Sequence, residues 1–187
     1  MILNKQCWHF ILCHRPHSFT GDDQFEVLCL GPSRAGKSTI LAQLVGESTT
    51  NIVPTNGFNI KTLPVNGLVL SIKELGGSDQ VRNFWNNYYE NKHALLFVFD
   101  VSAPETELQD SLELLRKILS NFKGKPCMII GTHKDNPDAR QASQLEAILQ
   151  NILAGHKWSL YTISAFDRLA IREAIHSLAS LINSVFL

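Results

Sequence analysis

The stretch Gly31-Pro32-Ser33-Arg34-Ala35-Gly36-Lys37-Ser38 follows the apolar run Val27-Leu28-Cys29-Leu30 and opens a helical pattern from Lys37 to Val45. It fits G-x-x-x-x-G-K-[ST] in the strand, loop, helix setting that the pattern needs. The residue types supply the chemistry. Glycines let backbone N–H groups wrap phosphate oxygens, the helix start adds its positive end, Lys37 can reach the outer phosphates and Ser38 can ligate Mg²⁺. A chance match in a glycine-bearing turn is the competing explanation, and the correct flanks on both sides disfavour it.

Outward from this loop, strand-like runs recur at FEVLCLG (Phe25 to Gly31), GFNIKTL, LVLSIKEL, ALLFVFDV (Ala94 to Val101), PCMIIGT and WSLYTIS. Between them lie helical patterns at Lys37 to Val45, Thr106 to Phe122, Arg140 to Leu153 and Ile171 to Val185, with apolar residues three and four apart. The alternation predicts an α/β fold, a mostly parallel six-stranded sheet with helices on both faces. One antiparallel pair interrupts it, because Asn66-Gly67 joins GFNIKTL to LVLSIKEL as a hairpin turn. Ser102 and Glu105 are expected to form a capping box at the start of the second helix.

Lys plus Arg and Asp plus Glu are balanced at 17 each, so no global field draws in nucleic acid, and an anion site has to be local. The four cysteines, Cys7, Cys13, Cys29 and Cys127, lack the spacing of a zinc site or a secreted disulfide framework, which points to a reducing compartment. Cys29 and Cys127 fall in apolar strands and are expected in the core. The polar segment His14 to Gln24 divides the chain into an apolar N-terminal segment with its tether, 1–24, and a domain over 25–187.

A second motif lies at Glu74-Leu75-Gly76-Gly77-Ser78, where a carboxylate ends a strand and two glycines form a hinge. Together with VPTNGFNIK (Val53 to Lys61), ELGGSDQVRNFWNNYY (Glu74 to Tyr89) and ALLFVFDVS (Ala94 to Ser102), it resembles the ADP-ribosylation-factor-like branch of the small GTPases. The resemblance implies a guanine-nucleotide switch that binds GTP or GDP with Mg²⁺. Gly31, Ser33, Arg34, Ala35, Gly36, Lys37, Ser38 and Thr39 would surround the phosphates. Thr55 would join Ser38 on the metal, Glu74 would replace the aspartate that holds the metal through water, and Gly77 would offer its N–H to the terminal phosphate.

Ser78 stands where the family places the glutamine that orients the attacking water, and it is too short to span that distance. No confident catalytic residue remains, and slow GTP hydrolysis is expected. In place of the family's N-K-x-D, the run CMIIG leads into Thr132-His133-Lys134-Asp135. Asp135 keeps the carboxylate that accepts from guanine N1–H and the exocyclic amine. Thr132 and His133 replace the amide and lysine that brace the loop and stack on the base, which predicts a reduced affinity. Ser164-Ala165 would contribute an N–H to guanine O6; read alone, it is equally a plain turn.

The resemblance also implies partners: effector proteins on the switches and the hairpin between them, and a guanine-nucleotide exchange factor. Phe58, Trp85, Tyr88 and Tyr89 are candidates for an apolar effector patch, with core packing as their alternative role. Ile2 stands where N-myristoylation requires glycine, so membrane contact would come from the apolar N-terminal segment or from acylated Cys7 and Cys13. The expected location is cytoplasmic, peripheral on a Golgi, endosomal or plasma membrane. A competing function is a pseudo-GTPase interaction module with structural or no nucleotide. A small-molecule kinase lacks an arginine-rich lid segment and leaves Thr55 and the double glycine unexplained.

Overall fold

The structure, a computed structural model, describes residues 24–187. The expected N-terminal segment, with Cys7 and Cys13, lies outside the described residues. In chain order the elements are β1 (Gln24–Leu30), α1 (Lys37–Val45), β2 (Phe58–Val65), β3 (Leu68–Leu75), α2 (Asp79–Arg82), a 3-10 turn (Trp85–Tyr88) and β4 (Ala94–Asp100). They continue with α3 (Glu105–Leu119), a 3-10 turn (Ser120–Phe122), β5 (Cys127–Thr132), α4 (Ala142–Ile152), β6 (Trp158–Thr162) and α5 (Arg168–Phe186). The six strands form one sheet in the order β2-β3-β1-β4-β5-β6. Only β2 and β3 pair antiparallel.

Strand alternation divides the apolar residues between two cores. Val27, Cys29, Leu70, Ile72, Leu96, Val98, Met128 and Ile130 face α1 and α5 on one side of the sheet. Leu28, Leu30, Leu95, Phe97, Phe99, Cys127 and Ile129 face α3 and α4 on the other. Because β1 is flanked by β3 and β4, the chain leaves its end at the point where the strand order reverses. That crevice is where open α/β sheets place ligands, and the loop at Gly31 to Ser38 occupies it.

The hairpin pairs Val65 with Leu68 and runs in register to Phe58 and Leu75. Asn66 and Gly67 both take positive φ, 50° and 82°, as a two-residue turn matching the strand twist requires. Asn66 also ties the turn to α5, with its Oδ1 2.7 Å from His176 Nδ1 and its Nδ2 donating to the His176 carbonyl at 3.3 Å.

The expected capping box at α3 does not form. Pro104, with φ −51°, precedes the first helical residue. Ser102 donates instead to Asp100 Oδ1 at 2.7 Å, and Glu105 pairs with Arg140 at 2.9 Å. A local carboxylate competes for the hydroxyl, and proline presets the turn into the helix. At α5 the helix begins at Arg168, ahead of the apolar pattern, because Asp167 accepts from Ala170 N at 3.0 Å as the N-cap.

Candidate nucleotide site

The loop between β1 and α1 places positive φ at Gly31 (149°), Arg34 (63°) and Gly36 (83°), so it curls and turns successive N–H groups inward. Lys37 folds back across it, donating from Nζ to the carbonyls of Gly31 at 2.9 Å and Pro32 at 2.7 Å. Burial pulls the lysine below its ordinary pKa, against the attraction of Glu74. Cys29, buried behind the loop, has its thiol pushed well above its usual range by that burial and stays a neutral core residue, as its strand position predicts.

A cavity of about 410 Å³ runs along this loop. Ser33 to Thr39 line one wall, Ile52 to Asn56 a second, and Glu74, Gly76 to Ser78 and His133 complete it. Within it, Ser38 Oγ lies 3.2 Å from Thr55 Oγ1 and 2.5 Å from Glu74 Oε1, and Thr55 Oγ1 lies 3.4 Å from the same carboxylate oxygen. Three side-chain oxygens from α1, the loop before β2 and the end of β3 thus converge. Glu74 is 1% exposed, and among the described residues its Oε2 has no hydrogen-bond partner. Two hydroxyls and a buried carboxylate with an orphaned oxygen fit a hard divalent cation, Mg²⁺ among them.

The double glycine is packed against both walls of the cavity. A Cβ on Gly77 would collide with the backbone of Gly31, Pro32 and Ser33, and one on Gly76 would collide with the Thr55 carbonyl. Three hydrogen bonds fix the pair: Gly76 N–H to the Gly57 carbonyl at 2.9 Å, Trp85 Nε1–H to the Gly76 carbonyl at 3.0 Å, and Arg82 Nε–H to the Gly77 carbonyl at 2.7 Å. The first joins the segment carrying Thr55 to the segment carrying Glu74. Sequence spacing gives no hint of the Arg82 and Trp85 contacts. Ser78 follows, half-buried, with φ −71° and ψ 154°, and its carbonyl accepts from Val81 N and Arg82 N to start α2.

The residues expected to read the base lie on the loops after β5 and β6. Thr132 is fully buried; its Oγ1 lies 3.0 Å from the Ala35 carbonyl and 3.1 Å from the Phe99 carbonyl. The hydroxyl ties β5 to the phosphate loop, a contact that the exchange of the family's amide for a threonine does not reveal in sequence. His133, at φ 59°, sets Nδ1 3.0 Å from Thr132 Oγ1 and 3.1 Å from Asp100 Oδ2.

Asp135 is exposed, and hydrogen bonds from the Ser164 hydroxyl and from its own backbone hold its carboxyl below the usual range. Lys134 N donates to the Ile163 carbonyl at 3.3 Å, so the loop carrying Asp135 and the loop carrying Ser164 and Ala165 lie together. These three residues stand outside the lining of the phosphate cavity, which ends at His133.

Of the four aromatic residues expected at an effector patch, Trp85 is 2% exposed and belongs to the core. Its indole serves Gly76. Tyr89 packs on Phe122 with ring centroids 5.9 Å apart, half-buried. Phe58, 53% exposed, and Tyr88 remain at the surface with centroids 6.0 Å apart, and Lys73 Nζ sits 5.1 and 5.3 Å from the two rings. Phe84 and Ile60 add exposed apolar area nearby on the chain.

The parallel sheet with one antiparallel edge strand, the glycine-lysine loop at its switch point and the two segments meeting over that loop define a small GTPase fold. The sequence profile of the ADP-ribosylation factor family matches residues 16–182, and the chain belongs to that family. It is 29% identical over 187 residues to ADP-ribosylation factor-like protein 15 of Homo sapiens, covering 98% of this chain and 91% of the relative. It is 33% identical over 160 residues to ADP-ribosylation factor-like protein alp41 of Schizosaccharomyces pombe, covering 84% and 86%.

The fold also matches the Arl6 BBS3 small GTPase from Trypanosoma brucei, solved with the bound nucleotide analogue GppNp. That match has a TM-score of 0.77 at 21% identity and covers 87% of this chain and 99% of the other. Membership implies a nucleotide-binding switch, with effectors and exchange factors as its kinds of partner. Among the described residues no helix is long and apolar enough to cross a membrane.

Proposed function

We propose that the chain is a guanine-nucleotide switch that stays GTP-loaded for long periods and recruits effectors at a cytosolic membrane face. The observation that carries this reading is the convergence of Ser38, Thr55 and Glu74, which draws the segment before β2 onto the phosphate loop. A threonine held there by nucleotide and Mg²⁺, and released without them, is the element that such switches bias. In this reading Gly31 to Thr39 and Gly77 hold the phosphates, and Ser38 and Thr55 hold the metal. Asp135, with Ser164 and Ala165, selects guanine. Mg²⁺, when bound, would neutralise the outer phosphates.

Hydrolysis is slow because Ser78 places only a short hydroxyl beside the cavity, where an amide is needed to orient water. Even small GTPases that keep the glutamine turn over at roughly 10⁻⁴ per second unaided. Effectors then read the state from the hairpin and switch surface, where Phe58 and Tyr88 present an aromatic pair with the Lys73 ammonium over it. The N-terminal segment, or acyl chains on Cys7 and Cys13, supplies the membrane contact, and an exchange factor reloads the site.

The test is to load the purified full chain with Mg²⁺ and GTP and to follow bound nucleotide over hours. GTP that persists supports the switch, and Ser78→Gln should convert it to GDP at least about tenfold faster. Rapid conversion by the wild-type chain would mean that another group replaces the glutamine. The departures at Thr132 and His133 favour a second reading, an interaction module with structural or no nucleotide. A chain that retains none would establish it.

A further inference from the structure

Glu74 is one methylene longer than the aspartate that the family resemblance places here, and its carboxylate reaches into the site rather than standing behind it. Oε1 accepts from Ser38 at 2.5 Å and from Thr55 at 3.4 Å, and those two hydroxyls lie 3.2 Å apart. Oxygens in neighbouring positions around Mg²⁺, bonded at 2.0 to 2.1 Å in an octahedron, stand about 3 Å from one another. The three distances straddle that edge.

The other carboxylate oxygen, Oε2, is buried and has no partner among the described residues. A buried carboxylate oxygen without a hydrogen bond is costly. Lys37 does not donate to it, because its ammonium is directed at the Gly31 and Pro32 carbonyls. Lys37 lends the carboxylate a nearby positive charge but no hydrogen bond, so Oε2 is left open to a further partner, and a cation in the space that Ser38 and Thr55 border fits it.

We infer that Glu74 ligates the divalent cation directly through a carboxylate oxygen, so that Ser38, Thr55 and Glu74 form one face of its coordination shell and one water is displaced from it. The inference rests on the proposed nucleotide site and changes the expected role of Glu74 from water-mediated to direct. It has a chemical consequence. A carboxylate in direct contact adds a negative charge to the shell, which tightens divalent binding and favours metals that accept carboxylates readily, such as Mn²⁺.

The experiment uses the full chain loaded with Mn²⁺ and a non-hydrolysable GTP analogue, with electron paramagnetic resonance in ¹⁷O-enriched water to count the waters on the metal. Six positions filled by two phosphate oxygens, Ser38, Thr55 and Glu74 leave one water. Glu74→Asp should raise the count to two, and Glu74→Gln should keep it at one while weakening Mn²⁺ about tenfold or more. Two waters on the wild-type chain with the analogue stoichiometrically bound overturn direct ligation and leave the switch reading standing. A wild-type chain that retains no analogue overturns both. The wild-type count decides the question even if neither variant folds.

Discussion

The two ends of the candidate site are built differently. At the phosphate end the functional groups are buried and held by several elements at once: Lys37 is 5% exposed, Glu74 is 1% exposed, and Gly77 packs too closely on the loop to carry a side chain. At the base end the carboxylate expected to read the base, Asp135, is exposed, and its support is a serine hydroxyl on a neighbouring loop. The difference teaches where nucleotide affinity resides in the proposed switch. Charge-assisted contacts are worth most where water is excluded. The phosphate end should therefore hold the nucleotide, while the base end mainly chooses which nucleotide is held.

The largest expected effect comes from Lys37→Ala. It removes the cation that the loop carbonyls aim at the cavity, and retention of GDP or GTP should fall by roughly 100-fold or more, measured as the dissociation rate of a fluorescent nucleotide. Thermal unfolding of the variant should stay cooperative, since the lysine side chain bonds only to two carbonyls of its own loop. Asp135→Ala should cost less, about 1.5 to 2 kcal/mol because the charged acceptor is exposed to solvent, which is a factor of roughly 10 to 30. It should also erase the preference for guanine over adenine, which Lys37→Ala leaves intact. Equal losses from the two variants, or a guanine preference that survives loss of Asp135, would remove the contrast between the ends.

The sequence makes most of this frame legible because its signals are local. Continuous apolar runs in β1, β4 and β5 and three-to-four spacing in α3 and α5 mark the elements, and Asn66-Gly67 marks the hairpin. The phosphate loop is legible for the same reason: its chemistry is contained in eight consecutive residues. What escapes is non-local. Trp85 could be a surface or a core aromatic until the fold brings Gly76 to its indole, and Arg140, 35 residues away, takes the Glu105 that the expected capping box needs. The brace by Thr132 spans 97 residues to Ala35, so composition and pattern could only register the absence of an asparagine.

That brace is where the two ends meet, and it carries the smallest of these effects. Thr132 Oγ1 has one proton to share between the Ala35 and Phe99 carbonyls, so Thr132→Val removes a buried hydrogen bond while keeping the side-chain volume. The expected loss is about 1 to 2 kcal/mol of unfolding free energy, read from the urea midpoint with an unchanged slope. Because Ala35 belongs to the phosphate loop, nucleotide dissociation should quicken by a similar small factor without any change in base preference. Thr132→Ala should cost more than Thr132→Val, since it also opens a space beside Gly36, whose position lies in van der Waals reach of the threonine methyl. If Thr132→Val instead shifted base preference and left dissociation unchanged, Thr132 would belong to the base end alone, and the two ends would be mechanically independent.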